Sequence, residues 1–245
     1  MDNAMYVALS RQMTLRRQLD IVANNMANAD TAGFKFEQLI VRTEKRGGAG
    51  SLDGPKGLNF ALADGVARDF GQGKLHDTGG ALDLAIEGMG FFKVQTEAGE
   101  RYTRDGRFTL SAAGALITQG GNAVLDEGGG EIVIDPAKGP VSLAKDGVLS
   151  QGAARVGKVA VVRFDDLAGL SKDGDNLYSN TSNLQPQPAP DAVVRQGMLE
   201  GSNVNPIVQI TELIEVTRAY ESMTRTLEKN ADLSRRSIER LGRVT

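Results

Sequence analysis

Residues Met1–Met26 read MDNAMYVALSRQMTLRRQLDIVANNM, with no glycine and no proline. Met1, Met5, Ala8, Gln12, Leu15, Leu19, Val22 and Met26 recur at spacings of 4-3-4-3-4-3-4. That alternation is a heptad seam, in which Gln12 is the one polar member. A helix from Asp2 to Met26 would extend about 37 Å. Asn24, Asn25, Asn28 and Asp30 then lower helix propensity, and Gly33 supplies a stop.

The pattern returns at the other end. Ile210, Leu213, Thr217, Tyr220, Thr224, Leu227, Ala231, Ser234, Ile238 and Leu241 follow at spacings of 3-4-3-4-3-4-3-4-3. Asn205 suits an N-cap and Pro206 the first helical position. A helix of this span would extend about 54 Å. Several seam members are small or polar, so an isolated two-stranded coil would be weak. Packing within one domain is one reading of this pair. Its reach beside a small centre favours the other, packing against further chains. Leu15, Leu19 and Val22 are expected to face seam residues such as Leu227 of the same or an adjacent copy.

Between the helices the composition changes. Twenty-eight of 30 glycines lie between Gly47 and Gly201, and all seven prolines between Pro55 and Pro206. Apolar or β-branched runs occur at Phe91–Val94, Arg107–Leu110, Ala115–Thr118, Glu131–Ile134 and Lys158–Val162. Turn signals separate them at Ala98-Gly99, Asp105-Gly106, Gly120-Gly121, Gly128–Gly130 and Asp146-Gly147. Gly47–Gly57 reads as a flexible connector, and Gln185–Pro190 as a stiffer one. The expected fold is α+β: long N- and C-terminal helices forming a coiled-coil-like stem, with a central, mainly antiparallel β domain. The boundaries implied are 1–46 for the N-terminal helix and turn, 47–75 for the connector, 76–201 for the β-rich domain and 202–245 for the C-terminal helix.

Composition excludes several functions. The 245 residues carry a formal charge of −3, which gives no electrostatic case for nucleic acid or an anionic membrane. There is no cysteine, so disulfides, thiol catalysis and cysteine-ligated metals are excluded. His76 is the only histidine. No apolar run reaches the length of a membrane span, and no Sec-type signal peptide is read at the N-terminus.

Candidate chemistry is sparse. His76 precedes Asp77, but adjacent residues rarely aim at one substrate, and a loop histidine is the simpler reading. Asp165, Asp166, Asp173 and Asp175 miss the spacing of a calcium loop. Gly88-Met89-Gly90 lacks the third glycine of a dinucleotide fingerprint, and Gly71-Gln72-Gly73-Lys74 lacks Walker spacing. The expectation is no catalytic residue, no cofactor and no metal.

The most distinctive segment is Ala23-Asn24-Asn25-Met26-Ala27-Asn28-Ala29-Asp30-Thr31-Ala32-Gly33-Phe34-Lys35. A fraying helix end and a turn account for part of it. Its amides also offer adaptable hydrogen bonds to neighbouring copies. The segment resembles the ANNLANxxTxGFK signature of bacterial flagellar axial proteins, with Met26 in place of leucine. Leu82–Val94 and Tyr102–Phe108 resemble the central domain of the rod and hook members. Gly197–Asn205 and Thr217–Glu221 resemble their C-terminal signature, with Leu213 and Ser222 as mild departures. Met1–Ser10 and Asp64–Gly73 are similar to the proximal-rod branch, and the distal-rod branch is the runner-up.

That resemblance implies a structural subunit of the flagellar rod, the drive shaft for motility. It implies helical self-assembly with other copies and other rod proteins, terminal helices poorly ordered in the monomer, and passage through the flagellar type III export apparatus to the periplasmic basal body. Assembly roles would fall on Ala23, Asn24, Asn25, Ala27, Asn28, Thr31, Gly33, Phe34 and Lys35. They would also fall on Ser202, Asn203, Val204, Asn205, Arg218, Tyr220 and Glu221. The helix seam would comprise Leu15, Leu19, Val22, Met26, Leu213, Leu227, Ile238 and Leu241. No nucleic acid and no direct membrane insertion are expected. An enzyme using acidic residues of the β domain and a cytoplasmic coiled-coil scaffold are the readings from other classes.

Overall fold

The N-terminal helix, α1, spans Asp2–Ala27, and the C-terminal helix, α2, spans Pro206–Leu241. The computed structural model describes residues 2–46, 58–182 and 184–241. The connector at 47–57 and the seam member Met1 lie outside the described residues, as do the side chains of Ile238 and Leu241. The chain divides into two units. One comprises residues 1–27, 37–68 and 205–245; the other comprises 28–36 and 69–204.

In the first unit, Asn205 caps α2: its Oδ1 accepts the backbone N–H groups of Ile207 and Val208. Pro206 opens the helix, where its missing N–H costs nothing. Side-chain amides tie the two helices together. Gln12 Nε2 donates to Thr224 Oγ1 at 3.0 Å, Gln18 Nε2 to Glu212 at 3.1 Å and Asn25 Nδ2 to Gln209 at 3.2 Å. Ascending positions on α1 meet descending positions on α2, so the pairing is antiparallel.

Leu15 and Val22 are buried, and Leu19, Met26, Leu213 and Leu227 are half-buried. Met5 and Ile210 are exposed instead, while Gln209 and Val216 occupy buried positions on α2. The buried stripe drifts from the heptad because a straight helix turns every 3.6 residues rather than 3.5. This register also corrects one expectation. With Thr224 opposite Gln12, Leu227 lies beyond it toward the start of α1, and within the chain it does not face Leu19 and Val22.

The same unit holds a two-stranded sheet, Phe36–Arg46 with Leu58–Asp69. Arg68 pairs with Glu37 at 2.8 Å, and Arg42 with Asp64 at 2.8 Å. The sequence pattern places these residues at the end of a turn segment and in a connector; the fold pairs them as strands instead. The signals for strand are Ile40-Val41 and the alternation Leu58, Phe60, Leu62.

The second unit is β-rich. Its main sheet runs Leu170–Lys172, Leu177–Asn180, Gly99–Thr103, Phe91–Thr96, Ala123–Val124, Leu116–Thr118, Phe108–Leu110 in spatial order. Val161–Arg163 also pairs with Phe91–Thr96 and carries Gln187-Pro188 at its other side. The expected stiff connector thus lends two residues to an edge, where proline is tolerated. Val141–Leu143, Val148–Gln151 and Ala154–Lys158 form a three-stranded sheet. All pairings described in these two sheets are antiparallel.

Two expected strands change. Glu131–Ile134 makes only isolated bridges, Leu125 to Glu131 and Ala115 to Val133, because Gly128–Gly130 and Pro136 bracket it closely. Lys158–Val162 is split: Val159 and Ala160 carry the chain from the smaller sheet to the larger.

Phe91 and Phe92 show why the main sheet is stable. Successive side chains point to opposite faces, yet both are buried. Phe92 joins a core with Leu84, Ile86, Val94, Phe108, Leu116, Ile132 and Leu149. Phe91 joins Tyr102, Phe164, Leu170 and Tyr178, with Phe70 packed alongside. Edge-to-face contacts order this second core, with Tyr102–Phe164 centroids at 4.7 Å and Phe70–Tyr178 at 5.3 Å.

Candidate functional site

Two short strands mark where the chain leaves the β-rich unit. Leu75–Asp77 pairs with Met198–Glu200, setting Glu200 opposite Leu75. Gly73 then passes against Gly201 so closely that a Cβ there would overlap the Gly201 carbonyl oxygen. Only glycine permits that approach, and it brings the Gly73 N–H within 2.8 Å of Glu200 Oε1.

The signature turn docks on the same place. Gly33 adopts φ +68° and donates its N–H to the Glu200 carbonyl at 2.7 Å. A Cβ at Gly33 would overlap the backbone of Arg104 and Asp105. Asn28 and Thr31 shape the turn through an Oγ1–Oδ1 hydrogen bond of 3.2 Å and the Thr31 N–H to Asn28 carbonyl bond. Asn176 Nδ2 donates to the Ala32 carbonyl, and Lys172 Nζ sits 4.5 Å from the centre of the buried Phe34 ring.

The turn delivers Lys35 into an ion cluster. Lys35 Nζ lies 2.6 Å from Glu200 Oε1, and both side chains are fully buried. The ammonium also donates to the Gly71 carbonyl at 2.8 Å. Arg104 Nη1 reaches Glu200 Oε2 at 3.0 Å and the Ile86 carbonyl at 3.3 Å, while Nη2 donates to the Gly88 carbonyl at 2.7 Å. Arg104 Nε is buried with no partner. Burial pushes the Lys35 ammonium below its ordinary value, against the pull of Glu200, and pushes Arg104 down for the same reason. Two cations on one carboxylate, each finishing on backbone carbonyls, suit a fixed joint rather than a catalytic base.

Asn203 completes the joint. Its Oδ1 accepts the Phe36 N–H at 2.7 Å, and its Nδ2 donates to the carbonyls of Asp69 and Gly71. Val204 is buried and Ser202 half-buried beside it. Lys35, Arg104 and Glu200 come from three separate motifs, which the fold joins. The sequence reading does not select Arg104 or Glu200, although both sit inside quoted motifs: Glu200 as a single charge between Leu199 and Gly201, and Arg104 as one of three charges with Asp105 and Arg107.

Other candidates lie elsewhere. Asn25, 1% exposed, is spent inside the first unit: it donates to the Glu37 carbonyl at 2.7 Å and accepts the Glu37 N–H at 3.0 Å. This corrects the reading of Asn25 as an amide offered to neighbouring copies. Ala23, Asn24 and Ala27 are exposed near the end of α1; Arg218 and Glu221 are exposed on α2, where Tyr220 is half-buried. His76 stands exposed on a short strand rather than in a loop. The four aspartates act separately: Asp173 pairs with Arg101, Asp166 caps a 3₁₀ turn, Asp165 accepts from Gln187, and Asp175 adopts φ +41° in a turn. Among the described residues, no three His, Cys, Asp or Glu side chains gather as a metal site, and no helix is long and apolar enough to cross a membrane.

Residues 5–35 match the family described as flagella basal body rod protein, residues 85–151 the flagellar hook protein FlgE/F/G D1 domain, and residues 195–240 the flagellar basal body rod FlgEFG protein C-terminal family. The chain is 61% identical over 244 residues to the flagellar basal-body rod protein FlgF of Caulobacter vibrioides, covering 100% of both chains. It is 37% identical to FlgF of Mesorhizobium japonicum, covering 99% of both. To FlgG of Bacillus subtilis it is 30% identical, covering 94% of this chain and 96% of that one. An ion cluster that closes three motifs into one joint is thus carried by a chain that belongs to the flagellar basal-body rod proteins.

Proposed function

We propose that this chain, a structural subunit of the basal-body rod and not an enzyme, self-assembles helically in the proximal part of the rod. The observation that carries the reading is a row of exposed apolar side chains on α1. Met5, Leu9 and Met13 recur every four residues and are 52%, 45% and 57% exposed. Ile210 and Ile214 repeat the spacing on α2. A face of this kind needs covering, and neighbouring copies and other rod proteins supply that cover as a coiled-coil-like stem. The proximal position is supported by the higher identity to relatives named FlgF than to those named FlgG. Family membership also supports delivery through the flagellar export apparatus to the periplasmic basal body.

The test is complementation of a strain lacking the gene. Replacing Met5, Leu9 and Met13 together by Ser should leave a folded, exported chain that is absent from purified basal bodies, in non-swimming cells. Incorporation at the wild-type level would overturn the reading.

A further inference from the structure

Two surface features of the β-rich unit complement one another. The first is a groove of about 290 Å³. Phe70, Phe91, Phe164 and Met89, the last 74% exposed, line it, together with Arg104, whose charge is already met by Glu200. Edge-to-face contacts at 5.5 and 6.1 Å order the three rings. The exposed Arg163 and Asp165 stand at the groove with opposite charges. Among the described residues Arg163 makes no ion pair. The volume falls at the lower edge of the roughly 300–1,000 Å³ of small-molecule pockets, and suits an aliphatic side chain better than a metabolite.

The second feature is a knob. Ile132 and Ile134 point into the core at 2% and 1% exposure, so Glu131 and Val133 project outward from the other face. Val133 is 57% exposed. Arg155 borders the same patch. Among the described residues, the large apolar side chains that the β-rich unit exposes are Met89, Val133 and Leu184. Met89 belongs to the groove, and Leu184 has no charged residue within two positions. Val133 is an exposed apolar side chain with Glu131 on its own segment and Arg155 beside it, and Asp135 and Lys138 on the same patch pair with one another. Knob and groove share no lining residue, as a head-to-tail contact that propagates requires.

We propose that the groove receives Val133 of a second copy, with Glu131 of that copy on Arg163 and its Arg155 toward Asp165. The inference rests on the self-assembly reading and names the contact through which the β-rich units join.

The absence of native cysteine makes the contact directly testable. A full-length Met89→Cys, Val133→Cys double variant, expressed in place of the native chain, should yield a ladder of oxidised dimers and longer species in isolated basal bodies. Each single variant should stay monomeric. Both positions are exposed, so folding is not at stake. A double variant present in basal bodies but never crosslinked overturns the contact and leaves the rod reading intact. Capture of a different rod protein by Met89→Cys overturns the choice of a second copy. Absence of even the wild-type chain from basal bodies overturns the rod reading itself. Charge reversal gives a second measure. Glu131→Arg and Arg163→Glu should each reduce swimming, and the two together should restore most of it. Lack of rescue counts against the contact.

Discussion

The Lys35 ammonium and the Glu200 carboxylate meet at 2.6 Å, 165 positions apart in sequence, with neither side chain touching solvent. A buried pair is expensive to make and more expensive to break, because removing one partner strands the other charge. Lys35→Met and Glu200→Gln should each destabilise the chain by about 3–5 kcal/mol. Lys35→Met with Glu200→Gln should cost less than the sum of the two. Chemical denaturation of the four chains of the cycle measures this; strict additivity would show the pair to be uncoupled.

Gly73→Ala is expected to be severe, since the added methyl overlaps the Gly201 carbonyl where the joint closes. Gly65 provides the control: a Cβ there meets nothing within 4 Å, and its φ is not positive. Gly65→Ala should change stability by less than about 1 kcal/mol. Equal melting temperatures for the two variants would contradict the close approach.

Asn25→Ala should destabilise the first unit by about 1–3 kcal/mol, because two buried hydrogen bonds to the Glu37 backbone are lost. Ala23→Ser, at an exposed position on the same helix, should leave thermal unfolding nearly unchanged. Circular dichroism separates the two. His76→Ala should leave motility as it is, since the exposed ring only lies against Gly201 and belongs to neither apolar core.

Tyr102 sets an alkaline limit. Burial, the largest cause, raises its phenol above the ordinary 10.0. Above that ordinary value the unfolded chain loses the proton first, so stability falls as pH climbs toward the folded-state value. Lys35 works in the opposite sense, its folded-state value being lowered. Tyr102→Phe should therefore flatten the alkaline fall in denaturation midpoint. An unchanged profile would assign the fall to another group.

The helices and most strands of the larger sheet were legible because their signals are local. Freedom from glycine and proline bounded α1 and α2, and turn pairs such as Asp105-Gly106 bounded the strands. Phe36–Arg46 escaped because Ile40-Val41 is short and followed by Thr43-Glu44-Lys45-Arg46, which reads as solvated chain. The ion cluster escaped for a different reason. Charged residues are read as surface by default, and nothing local announces that Arg104 and Glu200, 96 positions apart, will share a dry site. Asn25 was visible as unusual, but only the fold reveals that its amide hydrogen-bonds both the N–H and the carbonyl of Glu37.

The joint at Glu200 also fixes how the molecule carries load. Leu75–Asp77 and Met198–Glu200 run antiparallel, so pulling on the segments before the first and after the second would open them like a zip. Gly73, Lys35 and Arg104 all fasten to Glu200 at the mouth of that zip. Tension drawn through the chain must therefore break ionic contacts before any ladder of the main sheet is strained. In single-molecule pulling, an early force peak should be present in the wild type and lost in Glu200→Gln. A subunit built this way gives first at a joint that can re-form, and its sheet is spared.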